Sequence, residues 1–173
     1  MRSDSGLSNS PRGLRPKGEN MKKKAVIVDV DLTLVGDTHF DANQQYDREY
    51  LRNWHLRAYK AESLPVGLNL VRLFHEAGYA LIVMTARDTT GRQLLQKRLR
   101  EENLLHMIDK IMLRKMREQS LPSSVVKQRM IKDCADKYHF VYAMDDSNHQ
   151  MFRENGIIVV DSNQWNKRAE EQS

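Results

Sequence analysis

Carboxylates that directly follow apolar segments are the residues best suited to chemistry in this sequence. Asp29 and Asp31 follow a β-branched segment in the pattern D-x-D-x-T, which ends at Thr33. Asp145 and Asp146 follow a later apolar segment. Four carboxylates in one crevice would repel each other and stay ionised together only beside a cation. Hard oxygen ligands of this kind favour Mg²⁺, which also binds phosphate oxygens.

A carboxylate can also attack phosphorus directly. The attack forms an aspartyl-phosphate and divides a hydrolysis into two easier displacements. A third apolar segment, LIVMT, ends at Thr85 and is followed by Ala86 and Arg87, so a hydroxyl and a guanidinium are also available. A lone D-x-D after a strand could equally be a turn with helix-capping acids. Three such segments in this order favour phosphoryl transfer over that structural explanation.

The elements that must position these residues alternate between strand and helix patterns. Apolar, β-branched runs predict five strands, at residues 25–30, 79–85, 110–114, 140–146 and 156–161. Apolar or aromatic residues at helical spacing predict five helices between them, at residues 43–62, 65–78, 90–105, 123–138 and 150–154. This order predicts an α/β fold with a parallel sheet and helices on both faces. Because ligands of such sheets bind beyond the carboxyl ends of the strands, we expect the motif residues to converge there.

With its motifs in this order, the chain resembles the haloacid dehalogenase-like (HAD) superfamily of phosphatases over residues 24–162. The resemblance implies a Rossmann-like parallel five-stranded sheet, a small helical cap insert at about residues 34–64, and Mg²⁺ as cofactor. It implies that Asp29 is the nucleophile and a metal ligand. Asp31 would be the general acid/base, with its backbone carbonyl also on the metal. The family most often has glycine after this second aspartate, so Leu32 is a departure at a position where the backbone must still turn tightly.

The same resemblance assigns the remaining motifs. Thr85 is expected to bind phosphate through its hydroxyl. Asp145 and Asp146 would form the second acidic motif of the metal site, and Asp145 is favoured as the direct ligand. The family also needs a lysine that binds the phosphate. We favour Lys127, at the start of the helix before the fourth strand, and keep Lys115, at the end of the third strand, as the alternative.

Within the superfamily, the chain resembles the phosphatase half of polynucleotide kinase–phosphatases, which removes 3′-phosphates from nucleic acid ends or nucleotides. The resemblance rests on the short insert, on T-A-R at residues 85–87 and on L-R…V-V-K within residues 113–127. It implies a phosphomonoesterase, since dehalogenases of the superfamily lack the second aspartate. No kinase motif G-x-x-x-x-G-K-[ST] occurs in the sequence. Thr33, Arg87 and Arg114 are the candidate substrate contacts.

The positive charge of the sequence lies mostly outside the predicted domain. The net charge is +5, but residues 1–24 hold seven basic and two acidic residues, so residues 25–173 carry twenty-one of each. Residues 1–20 predict a disordered tail before a phosphatase domain over residues 21–173, and Met21 is an alternative start. Within the domain, residues 110–132 carry seven basic residues and one glutamate. This local excess fits a polyanionic substrate, although a solvated surface would look the same.

The sequence predicts a soluble, cytoplasmic protein. No apolar run approaches the roughly 20 residues that span a bilayer, and no signal-peptide pattern is present. The single cysteine, Cys134, excludes an intramolecular disulfide and is expected to be a buried small hydrophobe, as in a reducing compartment.

Two other functions remain open. A small-molecule HAD phosphatase for nucleotides or sugar phosphates would usually carry a large cap domain, whereas residues 34–64 leave room for only about one helical hairpin. A non-catalytic binding protein of the same fold would usually have lost the nucleophile or the second aspartate. Both Asp29 and Asp31 are intact, so the sequence favours an enzyme with an open site.

Overall fold

A parallel sheet of five strands forms the centre of the protein. The computed structural model describes residues 21–44 and 46–165, so the predicted tail over residues 1–20 lies outside the described residues. The strands are β1 (Lys23–Val28), β2 (Ala80–Asp88), β3 (Ile108–Arg114), β4 (Tyr138–Asp145) and β5 (Ile158–Asp161). Their order across the sheet is β3-β2-β1-β4-β5, and every pairing is parallel. The predicted α/β fold class is therefore confirmed.

Five α-helices connect the strands. They are α1 (Arg48–Lys60), α2 (Pro65–Glu76), α3 (Arg92–Glu101), α4 (Ser123–Lys132) and α5 (His149–Glu154). The helix predicted at residues 43–62 begins later because Asp47 caps α1, accepting the backbone N–H groups of Glu49 and Tyr50. The helix predicted at residues 123–138 ends at Lys132, where the chain turns toward β4. Each predicted helix exists, and the errors lie at the ends.

Two hydrophobic cores lie on opposite faces of the sheet. Alternate residues of β1 face opposite sides, so Val26 and Val28 pack with residues of α2 and α3, whereas Ala25 and Ile27 pack with residues of α4 and α5. Strands covered on both faces need apolar residues at successive positions, which explains the continuous apolar runs of the sequence. Cys134 is buried in the second core, as predicted. No helix within the described ranges is long and apolar enough to cross a bilayer.

The sheet topology places the ends of β1 and β4 beside a crevice. From the central β1, the chain moves outward through β2 and β3 on one side and through β4 and β5 on the other. The connections after β1 and β4 therefore diverge, and ligands of open α/β sheets bind at this switch point. Asp29 directly follows β1, and Asp145 ends β4.

The segment after β1 turns tightly at Leu32, as the family pattern requires. Leu32 has a φ angle of 56°, in the left-handed region, and its N–H donates to the carbonyl of Val35 at 2.8 Å. The chain then leaves as an insert whose two ends pair, since the N–H of Gly36 donates to the carbonyl of Glu62 at 2.8 Å. Between these ends the insert contains a short 3₁₀ turn and α1, which is a small helical insert of the predicted kind.

Candidate active site

Lys127 lies between two aspartates at the carboxyl ends of β1 and β4. Its Nζ is 2.9 Å from Oδ2 of Asp29 and also donates to Oδ2 of Asp145. The lysine side chain is only 1% exposed, so this contact is fully desolvated. The other lysine considered, Lys115, starts the turn after β3, where its backbone N–H donates to Glu118 at 2.9 Å. The structure therefore brings Lys127 to the predicted nucleophile.

The charges in this cluster are strongly coupled. Burial raises the pKa of Asp29 well above its ordinary value; Lys127 opposes the shift, and the carboxylate of Asp145 adds to it. Although burial alone would raise it, Lys127 holds the pKa of Asp145 below its ordinary value. Burial would lower the pKa of Lys127, but the two carboxylates raise it above the ordinary lysine value. The lysine therefore remains a cation, but its single positive charge does not offset the burial and carboxylate repulsion that raise the pKa of Asp29.

Three carboxylates form a group that could bind a cation. Oxygen atoms of Asp29, Asp145 and Asp146 all lie within 4.8 Å of one another. Burial and the charge of Asp145 raise the pKa of Asp146. These donors are hard carboxylate oxygens crowded at one point, which is the ligand chemistry that Mg²⁺ prefers. The residues present therefore fit the predicted metal.

Asp31 is held apart from this group by an arginine. Arg87 donates from Nε to Oδ2 of Asp31 at 3.0 Å and from Nη2 to Oδ1 at 2.7 Å. The guanidinium also lies over the ring of Trp54, 5.5 Å from its centroid. The arginine side chain is 2% exposed, whereas that of Asp31 is 29% exposed. A carboxylate in a fixed orientation at the edge of the crevice suits a general acid/base.

The two predicted threonines occupy different environments. The hydroxyl of Thr85 is fully buried and accepts the backbone N–H of Arg87 at 3.2 Å, at the carboxyl end of β2. The hydroxyl of Thr33 is also buried and donates to Ser162 at 3.0 Å. The carbonyl of Thr33 accepts from the indole of Trp165 at 3.3 Å. These hydrogen bonds of Thr33 connect the segment after β1 to the end of the described chain. Contact between Thr33 and substrate stays a prediction.

Arg114 organises the loop that follows β3. Its guanidinium donates to four backbone carbonyls, at distances between 2.6 and 3.1 Å. The accepting residues are Ala86, Glu118, Gln119 and Leu121. These contacts fix the loop over residues 115–122, which faces the insert. Whether Arg114 also touches substrate stays a prediction.

The basic side chains of residues 110–132 are less available for binding a polyanionic substrate than the sequence suggested. Lys127 is buried in the site, and Arg129 forms a two-point ion pair with Glu118 and a further ion pair with Asp133 at 3.0 Å. Arg114 binds backbone carbonyls. Lys110 donates to the sulfur of Cys134 at 3.3 Å, so four of the seven cations are engaged internally. These contacts, which a linear sequence does not show, reduce the positive charge that residues 110–132 can offer to a polyanionic substrate.

A cavity of about 530 Å³ opens beside Asp31. Phe40 and Trp54 of the insert form one wall, and the loop over residues 119–123 forms the opposite wall. The two rings meet edge to face with centroids 5.0 Å apart. From helical spacing, the sequence predicted only a helix for the aromatic residues of the insert. It did not predict that two of their rings line a cavity, for which the concentration of aromatic residues in a short insert was the available signal.

A buried histidine–aspartate pair lies under the cavity. Asp88, at the end of β2, accepts the backbone N–H of Thr90 at 2.8 Å and lies 3.4 Å from Nε2 of His55. Nδ1 of His55 is buried and has no hydrogen-bond partner among the described residues. Sequence reasoning did not identify this pair because its members lie 33 positions apart and follow no local motif.

The chain matches the model of a known protein family over most of its length. The family model described as the polynucleotide kinase PNKP phosphatase domain matches residues 23–166. The match includes every residue of the site described above. The chain belongs to this family. The predicted resemblance is confirmed, and this PNKP-type domain is a phosphatase of the HAD class.

Solved structures share the fold of this PNKP-type domain at low sequence identity. A chain of the Pnkp1/Rnl/Hen1 RNA repair complex is 16% identical with a TM-score of 0.66, and the alignment covers 88% of the present chain and 46% of that one. The class C acid phosphatase from Bacillus anthracis with tungstate bound is 15% identical with a TM-score of 0.56, covering 82% and 67%. The HAD-hydrolase YfnB from Bacillus subtilis bound to magnesium is 11% identical with a TM-score of 0.53, covering 80% and 87%.

The present chain spans about half the length of the RNA repair chain that it resembles. No curated protein sequence matches it.

Proposed function

We propose that this domain is a Mg²⁺-dependent phosphomonoesterase that works through an aspartyl-phosphate on Asp29 and acts on 3′-phosphates of nucleic acid ends or nucleotides. The supporting observation is that two aspartates of the first motif lie in different environments. Asp29 is buried against Lys127 and next to Asp145. Asp31 lines the cavity and is held in place by hydrogen bonds from Arg87. One carboxylate is thus placed to attack, and the other to exchange protons with the leaving group.

The first step transfers the phosphoryl group to the protein. A carboxylate oxygen of Asp29 attacks phosphorus while the bond from phosphorus to the leaving oxygen breaks. Asp31 in its acid form gives its proton to that leaving oxygen. Lys127 and the hydroxyl of Thr85 are proposed to bind the phosphoryl oxygens. Arg87, because it already orients Asp31, is proposed to keep the acid directed at the leaving group.

The second step releases phosphate. Asp31, now a carboxylate, takes a proton from a water molecule whose oxygen attacks phosphorus. The bond between phosphorus and the Asp29 oxygen breaks, so inorganic phosphate leaves and the nucleophile is restored. Asp29, Asp145 and Asp146, with the carbonyl of Asp31, would hold the metal. Bound Mg²⁺ would offset the carboxylate charges and polarise the phosphoryl oxygens.

The choice of substrate is supported by the family and by the shape of the site. The matching family is named for polynucleotide kinase, and the cavity beside Asp31 lies within the range of volumes that hold organic ligands. An aromatic wall suits the flat base of a nucleotide. The insert contains one α-helix and leaves the cavity open on the solvent side, so a chain end could enter. The buried Cys134 fits a reducing compartment, and we place the enzyme in the cytoplasm.

The test is a comparison of specificity constants in Mg²⁺. The substrates are a 3′-phosphorylated oligonucleotide, the same oligonucleotide with its phosphate at the 5′ end, and a hexose phosphate. The proposal expects kcat/KM for the 3′-phosphorylated strand to exceed both others. A ratio to hexose phosphate at or below one would reject the nucleic acid substrate and leave a phosphatase of small metabolites.

A further inference from the structure

A second cavity, of about 440 Å³, is lined by other residues of α1, the helix whose Trp54 lines the active-site cavity. It is formed by one face of α1, the start of α3 and Met116 in the turn after β3. Arg48 and Arg52 project from α1 at its rim, and Leu51 and Leu94 contribute apolar surface. No carboxylate of the described residues lines it. This composition differs from the active-site cavity, which Asp31 and other acids line.

The two arginines of this cavity lie side by side. Residues four apart share one face of an α-helix, so Arg48 and Arg52 present adjacent guanidinium groups. Both are exposed. Neither side chain has an ion pair or a hydrogen bond to any residue of the two described ranges. The carboxylate of Asp47 accepts the N–H groups of Glu49 and Tyr50 at the start of α1, and neither Asp47 nor Glu49 forms an ion pair with either arginine within the described ranges.

Several other arginines are paired within the protein. Arg98 pairs with Glu102 at 3.0 Å, Arg87 pairs with Asp31 at 2.7 Å, and Arg129 pairs with Glu118 at 2.8 Å. Guanidinium groups left without such partners at a concave surface are suited to bind an anion from outside. Their planar forks match the oxygens of phosphate in two-point contacts.

The second cavity lies next to the active site. His55 lines the second cavity and contacts Asp88, which lines the first. The neighbouring Trp54 lines the first cavity from the same helix. Both cavities lie between the insert and the segment after β3, which contributes Met116 to one and residues 119–123 to the other. The two cavities are therefore neighbours that share α1 and the segment after β3.

We propose that Arg48 and Arg52 bind a backbone phosphate of a nucleic acid strand whose 3′ end occupies the active site. The inference rests on the proposed function, because only a polymeric substrate carries a second phosphate at a fixed distance from its end. The apolar residues Leu51, Leu94 and Met116 would pack against sugar or base while the arginines bind the phosphate. The strand would extend from the active site toward its 5′ side, so the enzyme would prefer oligonucleotides over mononucleotides.

The test measures binding apart from catalysis. A fluorescent single-stranded oligonucleotide with a 3′-hydroxyl end is titrated by anisotropy with the full chain at several salt concentrations. The variant carries Arg48→Ala and Arg52→Ala. The matched control carries Arg100→Ala and Arg153→Ala, which are exposed and lie in the last turns of α3 and α5, away from the second cavity. The two variants remove equal charge, so any difference between them reports position.

The expected loss is specific to the first variant. Its affinity should fall about tenfold or more, since a charge-assisted hydrogen bond contributes about 1.5–3 kcal/mol. Its log–log salt slope should become shallower by about 0.7 for each phosphate that the variant no longer binds. The control variant should stay within about threefold of wild type. Turnover of a 3′-phosphorylated mononucleotide, which cannot reach the second cavity, should be unchanged in both.

Three results would overturn the inference: no binding by wild type, equal losses in both double variants, or wild-type affinity after removal of the Arg48 and Arg52 side chains. Failure of the proposed function looks different. In that case wild type would bind the strand through these arginines but would not release phosphate from any 3′-phosphorylated nucleic acid. Normal 3′-phosphatase activity with unchanged strand binding in the Arg48 and Arg52 variant would remove this inference alone.

Discussion

Arg87 forms a two-point contact with Asp31, donating from Nε at 3.0 Å and from Nη2 at 2.7 Å. The contact is supported from behind by the ring of Trp54. A planar fork fixes both the position and the rotation of the carboxylate, which a single ammonium could not do. The orientation of the proposed general acid therefore depends on a residue that does not itself exchange the proton.

The first prediction uses this dependence. Arg87→Lys keeps the charge but loses the fork, so protonation of the leaving group should suffer. Alkyl phosphates need that proton, and their kcat should fall about a hundredfold. Aryl phosphates with good leaving groups should lose less than about tenfold, because their leaving oxygen needs little protonation. Arg98→Lys, at an ion pair on α3, serves as the control, and equal losses on both substrate types would contradict the assignment.

The second prediction concerns the pH dependence of stability. Although burial raises it, hydrogen bonds from His55 and Thr90 hold the pKa of Asp88 well below the ordinary value. A folded-state pKa below the unfolded one means that the ionised carboxylate stabilises the fold above the unfolded value of about 3.9. That stabilisation is lost as the pH falls through the folded-state value.

Asp88→Asn should therefore lower the free energy of unfolding at neutral pH. The difference from wild type should shrink as urea titrations are repeated from about pH 6 down to about pH 3. Asp136→Asn, at an exposed carboxylate, controls for general charge effects. If the difference in the free energy of unfolding between Asp88→Asn and wild type grew on acidification, the pKa of Asp88 would not be lowered in the folded protein.

The third prediction tests the packing of the segment after β1. A β-carbon at Gly67 in α2 would stand 1.9 Å from the carbonyl oxygen of Thr33. Helix propensity alone favours alanine over glycine by about 1 kcal/mol. The clash with backbone should reverse this, so Gly67→Ala should destabilise the protein by about 1–3 kcal/mol. At Gly36 the nearest atom would be 3.8 Å away, so Gly36→Ala is the tolerated control in thermal unfolding.

The fourth prediction concerns the metal. Because Asp29, Asp145 and Asp146 crowd their oxygens within 4.8 Å, Mg²⁺ should raise the melting temperature at constant ionic strength. Binding to the folded state alone contributes about 2.7 kcal/mol at a hundredfold excess over Kd. A chelator should abolish activity, and Mg²⁺ should restore it. Asp146→Asn should weaken both effects, and full activity in chelator would exclude the proposed metal site.

Much of the fold could be predicted from sequence because its signals are local. A buried parallel strand needs successive apolar residues, and its carboxyl end is visible wherever such a run stops at Asp29, Thr85 or Asp145. A parallel sheet then brings these ends to one edge without further information. Lys127 was indicated by the family resemblance, which places the phosphate lysine at the start of the helix before the fourth strand, and the structure places its Nζ 2.9 Å from Asp29.

The contacts that could not be predicted depend on the paths of long side chains. Arg87 and Asp31 lie 56 positions apart, and nothing local indicates that the arginine turns toward the first motif. Arg114 lines the cavity beside Asp31, but no local pattern indicated that its guanidinium binds the carbonyls of its own loop. An arginine at a strand end can reach many acceptors, so its partner is decided by tertiary packing. The second cavity, which is lined by residues of α1 and α3, also depends on tertiary packing and could not be predicted from local patterns.

The central claim is that Asp29 carries the phosphoryl group during turnover. The most direct measurement is peptide mass spectrometry of protein quenched in acid during the hydrolysis of an aryl phosphate with Mg²⁺. A phosphoryl adduct should appear on the peptide that contains Asp29 and on Asp29 itself after fragmentation. Asp29→Asn should lose both the adduct and at least about a thousandfold in kcat while unfolding at the wild-type temperature. Turnover near the wild-type rate in Asp29→Asn, or an adduct on another residue, would contradict the mechanism.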